Sequence, residues 1–391
     1  MHKSLNPRGV FCRPPPSRCS MLLAALLLLA LSACGTPQPL QLPQAMIYNS
    51  SQAGIIYALS AQNGSVRWQY RTVDNVFGTG LTRPTLLNGT IYAATSSGGI
   101  FVYALNAQDG AVRWKVKVNE TPTPPEQPVI VNNILYLVAS RTDSSSVTEV
   151  YALRIQDGSV LWHYQAAGYP STKNVLVANG LVYLTLAGSA LSPLLALDAI
   201  TGAVRWQAHL PGTSNSTPAT ADGLVIISDS NGQVYALQAA TGTLVWNYPL
   251  ATPSEASTLT ATQDLVYVGG ANGSVVALRT NDGSERWQVR LADSAFVPVV
   301  VQDILYVVSD EGNTPLYALR TSNGTTIWQY QSDEHPCIGR IPVTIADQVL
   351  YCTGADYSLL LLDASSGLLM QHYTLPSKLL SSYPVVVGPK E

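Results

Sequence analysis

The stretch Leu195-Ala196-Leu197-Asp198-Ala199-Ile200-Thr201-Gly202-Ala203-Val204-Arg205-Trp206 decides the fold, because its pattern keeps returning. A Leu-Ala-Leu strand is followed by four residues, a Gly, three residues and a Trp. The same phrase is carried by Tyr57-Ala58-Leu59 with Gly64 and Trp68, by Tyr103-Ala104-Leu105 with Gly110 and Trp114, and by Tyr151-Ala152-Leu153 with Gly158 and Trp162. It continues in Tyr235-Ala236-Leu237 with Gly242 and Trp246, Val276-Ala277-Leu278 with Gly283 and Trp287, and Tyr317-Ala318-Leu319 with Gly324 and Trp328. An eighth copy is degenerate, with Leu361-Leu362, Gly367, and Gln371 at the Trp position. A period in the low forties that carries several strands is the mark of a propeller.

Residues 82–118 show how one period makes one blade. Pro84-Thr85-Leu86-Leu87 is a short apolar run, and Asn88-Gly89 is a hairpin signal. Ile91–Thr95 forms a second strand, and Phe101–Leu105 forms a third whose continuous apolar character predicts burial on both faces. Asp109-Gly110 turns the chain into Val112–Val116, which alternates like an outer strand. The result is a four-stranded antiparallel meander, innermost strand first. Such a blade is apolar on both faces, so it must stack on neighbours, and radial closure hides the remainder.

The ends predict how the ring closes. Met46-Ile47-Tyr48 matches the second strand of a blade, and Tyr383–Val387 matches the missing first strand. The expected fold is therefore an all-β, eight-bladed propeller whose C-terminal strand completes the N-terminal blade. Gln371 in the Trp place makes the eighth blade the expected loose junction.

Composition limits the rest. Four of the 21 basic side chains (Lys3, Arg8, Arg13, Arg18) precede residue 34, leaving 17 bases against 24 acids. That balance, with no basic run, argues against nucleic-acid binding. Arg13 and Arg18 precede the apolar run Met21–Leu31, which suits a secretory signal and is short for a membrane span. Residues 1–33 are thus read as a signal peptide, 34–45 as a tether and 46–391 as the propeller. Leu31-Ser32-Ala33-Cys34 resembles the bacterial lipobox, so Cys34 is the expected lipidated N-terminus. Gly35, which is not Asp, points to the outer membrane in a two-membrane cell, and otherwise the outer face of the plasma membrane is expected. Cys12 and Cys19 leave with the leader, so Cys337 and Cys352 remain as an even pair in an oxidising compartment. Both sit at the same end of the predicted last hairpin, which favours a disulfide, while their offset register opposes one.

The Gly-Trp spacing resembles the repeat of the pyrroloquinoline-quinone-type propellers and its tryptophan docking motif. Ala196–Trp206 and Ala236–Trp246 are the closest copies, and the likeness runs over residues 45–388. With the lipobox, the chain is similar to bacterial propeller lipoproteins, among them the one in the outer-membrane β-barrel assembly machinery. The resemblance implies that Trp68, Trp114, Trp162, Trp206, Trp246, Trp287 and Trp328 tie neighbouring blades together. It predicts fold far better than function, because the same ring serves dehydrogenases and scaffolds.

The dehydrogenase reading needs a spare Trp beneath the quinone, adjacent cysteines and calcium-binding oxygens. All seven Trp residues belong to the docking series, and neither adjacent cysteines nor a Cys-x-x-Cys-His haem site occurs. His163, His209 and His372 fall on or near outer strands and read as solvated rim residues. Asp333-Glu334-His335-Pro336-Cys337 is the one dense polar cluster, and its sequential ligands lack metal-site spacing. Asp229, Asn231, Asn272, Asp310 and Asp356 lie in predicted turns, where Asn and Asp are favoured for backbone reasons. No cofactor or metal is expected. The long connections into each first strand gather at one face, round the channel mouth, where propellers carry recognition. Arg83, Glu126, Lys173, Asn174, Phe296, Arg340 and Tyr383 are the candidates for that mouth, joined by Asp333 and His335. The expected function is a non-catalytic, monomeric scaffold for an envelope protein or polymer. The alternative is a quinone- or calcium-dependent dehydrogenase or a small-ligand sensor.

Replacing Cys34 by Ser is expected to release the protein from the membrane fraction. Retention there after a salt wash would remove the lipid anchor from the reading.

Overall fold

The hairpin turns set the strand order. Asn88, Asn132, Asn133, Asn179, Asp222 and Asp347 all take positive φ, between 46° and 62°, which suits the tight turns that match strand twist. They join the first and second strands of the second, third, fourth, fifth and eighth blades. The computed structural model describes residues 45–387 apart from 52, 73–80, 97, 121–124, 142–145, 170, 188–191, 215, 251–257, 271, 292–294, 310–314, 338–342, 355–357 and 375–384. The expected leader and almost all of the tether lie outside them.

The chain forms an eight-bladed β-propeller. The described strands make eight four-stranded antiparallel sheets, and no helix occurs among the described residues. Seven sheets take their strands in sequence order. The remaining sheet pairs Met46–Ser50 with Ile55–Ser60 on one side and with Val385–Val387 on the other. Ile47 stands opposite Val386, so the C-terminal strand supplies the innermost position of the first blade, as the sequence predicts.

Burial follows this order. Third strands such as Ile55–Ser60 and Ser358–Asp363 are buried along their whole length. Innermost strands such as Thr85–Leu87 and Val129–Val131 are half-buried, as befits a channel wall. Outer strands alternate, and in Val204–Leu210 the Trp206 position is buried while its neighbours are exposed. The core lies between blades. One cluster joins Ile56, Ala58 and Trp68 of the first blade to Ile91, Tyr103 and Leu105 of the second.

One junction repeats round the ring. Trp206 faces Ala196 across its hairpin, and a β-bulge follows between Ala196 and Leu197. The Trp206 ring lies over Gly242 of the next blade, and its Nε1 donates to the Ala239 carbonyl at 2.9 Å. A Cβ at Gly242 would stand 2.5 Å from Cε3 of that ring, and φ there is +72°, so only glycine fits. Trp68, Trp114, Trp162, Trp246, Trp287 and Trp328 donate in the same way to Ala107, Ile155, Ala199, Thr280, Thr321 and Ala364. Each acceptor lies three residues before the glycine that the ring covers.

The eighth junction corrects the sequence reading. Gln371 does hold the Trp register opposite Leu361, but it is exposed. Tyr373, two residues on, takes over the docking role. Its ring covers Gly64 of the first blade, where a Cβ would lie 2.9 Å from Cγ, and its hydroxyl donates to Ala61 O at 2.8 Å. The expected loose junction is therefore closed by the same contact in another side chain. The Gly-x-x-x-Trp spacing does not reveal it, because the substitute lies two residues beyond the Trp position.

Trp206→Ala should cost about 3–5 kcal/mol in chemical denaturation, since it opens a large cavity between blades. Tyr373→Ala should behave like the Trp truncations, whereas Tyr373→Phe should lose only the hydrogen bond, about 0.5–1.5 kcal/mol. If Tyr373→Ala melts like the parent, the eighth junction does not close the ring. Deleting residues 380–391 should give aggregation or rapid proteolysis, because Met46–Ser50 would become an unpaired edge.

Candidate functional site

The connections into the innermost strands lead to the face where recognition is expected. Arg83 and Glu126 stand half-buried just before the first strands of the second and third blades. Lys173 and Asn174 lie within Ser171–Ala178, where the pairing register breaks between Thr172 and Val175. Phe296 lies within Ala295–Val301, which breaks register between Phe296 and Val299. These innermost strands outrun the three-residue ones of the second, third, fifth and eighth blades, and the bulges carry the extra length toward the loop face. Arg340 and Tyr383 lie outside the described residues, as do Asp310 and Asp356.

Asp333 is exposed, and the His335 ring stacks on His372 at 4.2 Å. The His335 carbonyl accepts from the Tyr330 hydroxyl at 3.1 Å, and its amide donates to Ser332 Oγ at 3.0 Å. Next to this loop the structure joins Cys337 to Cys352 in a disulfide, with a Cα separation of 5.9 Å. Cys337 pairs in register with Gly354, so the bond runs diagonally across the sheet edge. The offset that opposed the bond in the sequence is only two residues, within reach of a diagonal pair. No group of three or more His, Cys, Asp or Glu suited to a metal occurs among the described residues.

Two polar clusters form at this end of the blades. In the fifth blade Asp229 is 3% exposed and organises its turn. It accepts from the amides of Gly212, Asn231 and Gln233 at 3.1, 3.0 and 2.9 Å, and from the Tyr235 hydroxyl at 3.0 Å. Burial, and then the Asp229 charge and its hydrogen bond, push the Tyr235 phenol up to about 12. Asp229 thus serves as a turn staple, with its acceptor positions filled by the chain itself.

The other cluster lies between the second and third blades. Glu149 sits in Val147–Arg154 and is 2% exposed. It accepts from Asn119 at the end of Val112–Asn119, from the Tyr151 hydroxyl at 3.0 Å and from Gln165 Nε2 at 2.9 Å. His163 Nε2 stands 3.7 Å from Glu149 Oε1, and the His163 ring stacks on Tyr151 at 4.4 Å and 6°. Glu149 helps to wall a cavity of about 480 Å³. The sequence reading took His163 as a plain rim residue and passed over Glu149. The available signal was a carboxylate inside Val147-Thr148-Glu149-Val150-Tyr151, a strand type that is otherwise apolar and buried.

Comparison with known proteins follows the fold. The family model described as outer membrane protein assembly factor BamB matches residues 34–185, 170–297 and 291–370. The outer membrane protein assembly factor BamB of Yersinia pestis is 39% identical over 67 residues, a match that spans 17% of this chain and 17% of that protein. The crystal structure of BamB from Moraxella catarrhalis superposes with a TM-score of 0.57 at 21% identity, covering 79% of this chain and 88% of that one. The quinohemoprotein alcohol dehydrogenase ADHIIG of Pseudomonas putida HK5 gives 0.59 at 12% identity, over 82% and 68% of the two chains. At these identities both structural likenesses are of fold.

Asp229→Ala should destabilise the fifth blade by several kcal/mol, because three amides and a phenol lose their acceptor at about 1–3 kcal/mol each. A near-native melting temperature would refute the staple. Tyr183 is also pushed up to about 12 by burial, so both phenols stay neutral in the fold when free tyrosine ionises near 10. Their folded values are raised, so their contribution is complete below pH ~10 and lost between pH ~10 and ~12. Stability should therefore fall across that window, and absorbance at 295 nm should show these tyrosines ionising late or only on unfolding.

Proposed function

The chain belongs to the family described as outer membrane protein assembly factor BamB, and from that premise we propose that it is a non-catalytic, lipid-anchored scaffold. It is held through Cys34 on the outer side of a membrane, at the outer membrane where the cell has two. There it binds a protein partner in outer membrane protein assembly through the loop-bearing face of the ring.

The observation that carries this reading is the use of the aromatic residues. Every Trp in the chain donates its Nε1 to the neighbouring blade, so none is left to floor a quinone. A Gly-x-Ser-x-Gly motif, a phosphate loop and a paired-carboxylate constellation are missing from the sequence as well. What varies from blade to blade is the connection into each innermost strand, and variable loops on a rigid ring suit recognition. Arg83, Glu126, Lys173, Asn174, Phe296, Asp333, His335, Arg340 and Tyr383 are the residues proposed for that face. The fold shared with quinohemoprotein dehydrogenases keeps a quinone- or calcium-dependent activity as the rival.

Two experiments separate the readings. Purified protein titrated with pyrroloquinoline quinone and Ca²⁺ should show neither a bound-quinone absorbance nor turnover of alcohols. Charge reversal at Arg83 and Glu126 together should abolish co-purification of β-barrel assembly proteins from membranes while leaving the melting temperature unchanged. Quinone-dependent turnover, or unchanged co-purification, would reject the scaffold.

A further inference from the structure

The rim cavity between the second and third blades is built round a carboxylate that no fixed cation among the described residues balances. Glu149 is almost fully buried, and its three described hydrogen-bond donors, Asn119, Tyr151 and Gln165, are all neutral. Its one ion-pair contact among the described residues is His163 at 3.7 Å, longer than a hydrogen bond. Lys117, on the same wall, is paired instead with Glu120. Leaving His163 aside, the Lys, Arg, Asp and Glu side chains of the wall sum to one negative charge in excess, at a position where an unbalanced carboxylate costs stability. Neutral donors satisfy its lone pairs in part but leave its charge available to a cation. Asp229 marks the contrast, because its turn packs directly round it and Gly212 closes on its Oδ2.

The acceptor geometry selects the ligand. A carboxylate offers about four lone-pair positions. Oε2 receives Asn119 and Tyr151, while Oε1 receives Gln165 alone, so the open position is a single one on Oε1. The bidentate mode that favours a guanidinium needs both oxygens side by side, whereas an ammonium needs one point. Tyr151 and His163, stacked on each other, line the same cavity, and Val118 supplies apolar surface for an alkyl stem. We infer that this cavity is a binding site for an aliphatic ammonium group, carried either by a lysine of a docked protein or by a free alkylamine. The inference does not depend on the scaffold reading, since a small-ligand sensor would use the same pocket.

The test follows the side-chain amide resonances of Asn119 and Gln165 in the folded, full-length chain. N-acetyl-lysinamide and butylamine should shift them saturably, with N-acetyl-argininamide weaker and N-acetyl-norleucinamide inert. Tighter binding of the lysine probe assigns the site to a protein partner, and tighter binding of butylamine to a free amine. Glu149→Gln should weaken the cationic probes at least about tenfold in the folded variant, read against the neutral probe. If that variant misfolds, Glu149→Asp, which keeps the charge, should still prefer cationic over neutral probes. Arg141 stands in register with Val147 on the adjoining strand and is the chain's own rival cation. Binding that appears only after Arg141→Gln would make that arginine the occupant and overturn the inference. Equal shifts with the norleucine probe, no saturable shift in the parent, or unchanged affinity after Glu149→Gln would overturn it too.

Discussion

An aromatic ring laid flat over the glycine of the next blade is the contact on which the ring depends. It makes three demands at once. The glycine must hold a positive φ and present no Cβ, the outer strand must be bulged so that the ring reaches across, and a carbonyl three residues upstream must accept its polar hydrogen. Dispersion over the ring face and a directed hydrogen bond then fix both the spacing and the tilt of adjacent blades. Second-strand tyrosines reinforce the junction from inside. Tyr48, Tyr136, Tyr183 and Tyr306 donate to the carbonyls of Ala107, Ala199, Ala239 and Ala364, which the docking Trp residues also use.

Closing such a ring removes a difficulty of repeat proteins, which otherwise expose an apolar face at each end. Here closure is made twice. The C-terminal strand pairs with Met46–Tyr48 within the first blade, and Tyr373 docks the eighth blade onto Gly64. The Cys337–Cys352 bond adds a covalent tie inside that last blade. Segments that lie far apart in the chain thus converge on one seam, so the ends hold each other.

With the blade interfaces committed to the fold, function is left to what the ring presents outward. Membership of the BamB family supports a scaffold, and the proposed lipid anchor and loop face give that scaffold a place and a binding surface. The two buried carboxylates illustrate how the same chemistry takes different roles. Asp229 is enclosed by the amides of its own turn. Glu149 meets side chains from three strands at an open cavity and retains an unfilled acceptor position.

The blade count, the strand order and the docking residues could be read from the chain, because they rest on local patterns. Asn-Gly turns, apolar third strands and the Gly-x-x-x-Trp spacing each act within about forty residues, and every copy repeats the pattern of the others. The pairing of the two ends was legible for the same reason, since Met46–Tyr48 and Tyr383–Val387 each match one strand of a known unit. The rest depended on packing between blades. Tyr373 replaces Trp from two residues outside the motif, which only the position of Gly64 reveals. Asn119, Glu149 and Gln165 lie on three strands of two blades, and no spacing rule joins them before the blades stack. The sequence determined the repeating unit, whose forces are local, while tertiary structure decided the closure contact and the rim cavity, which exist only where separate units meet.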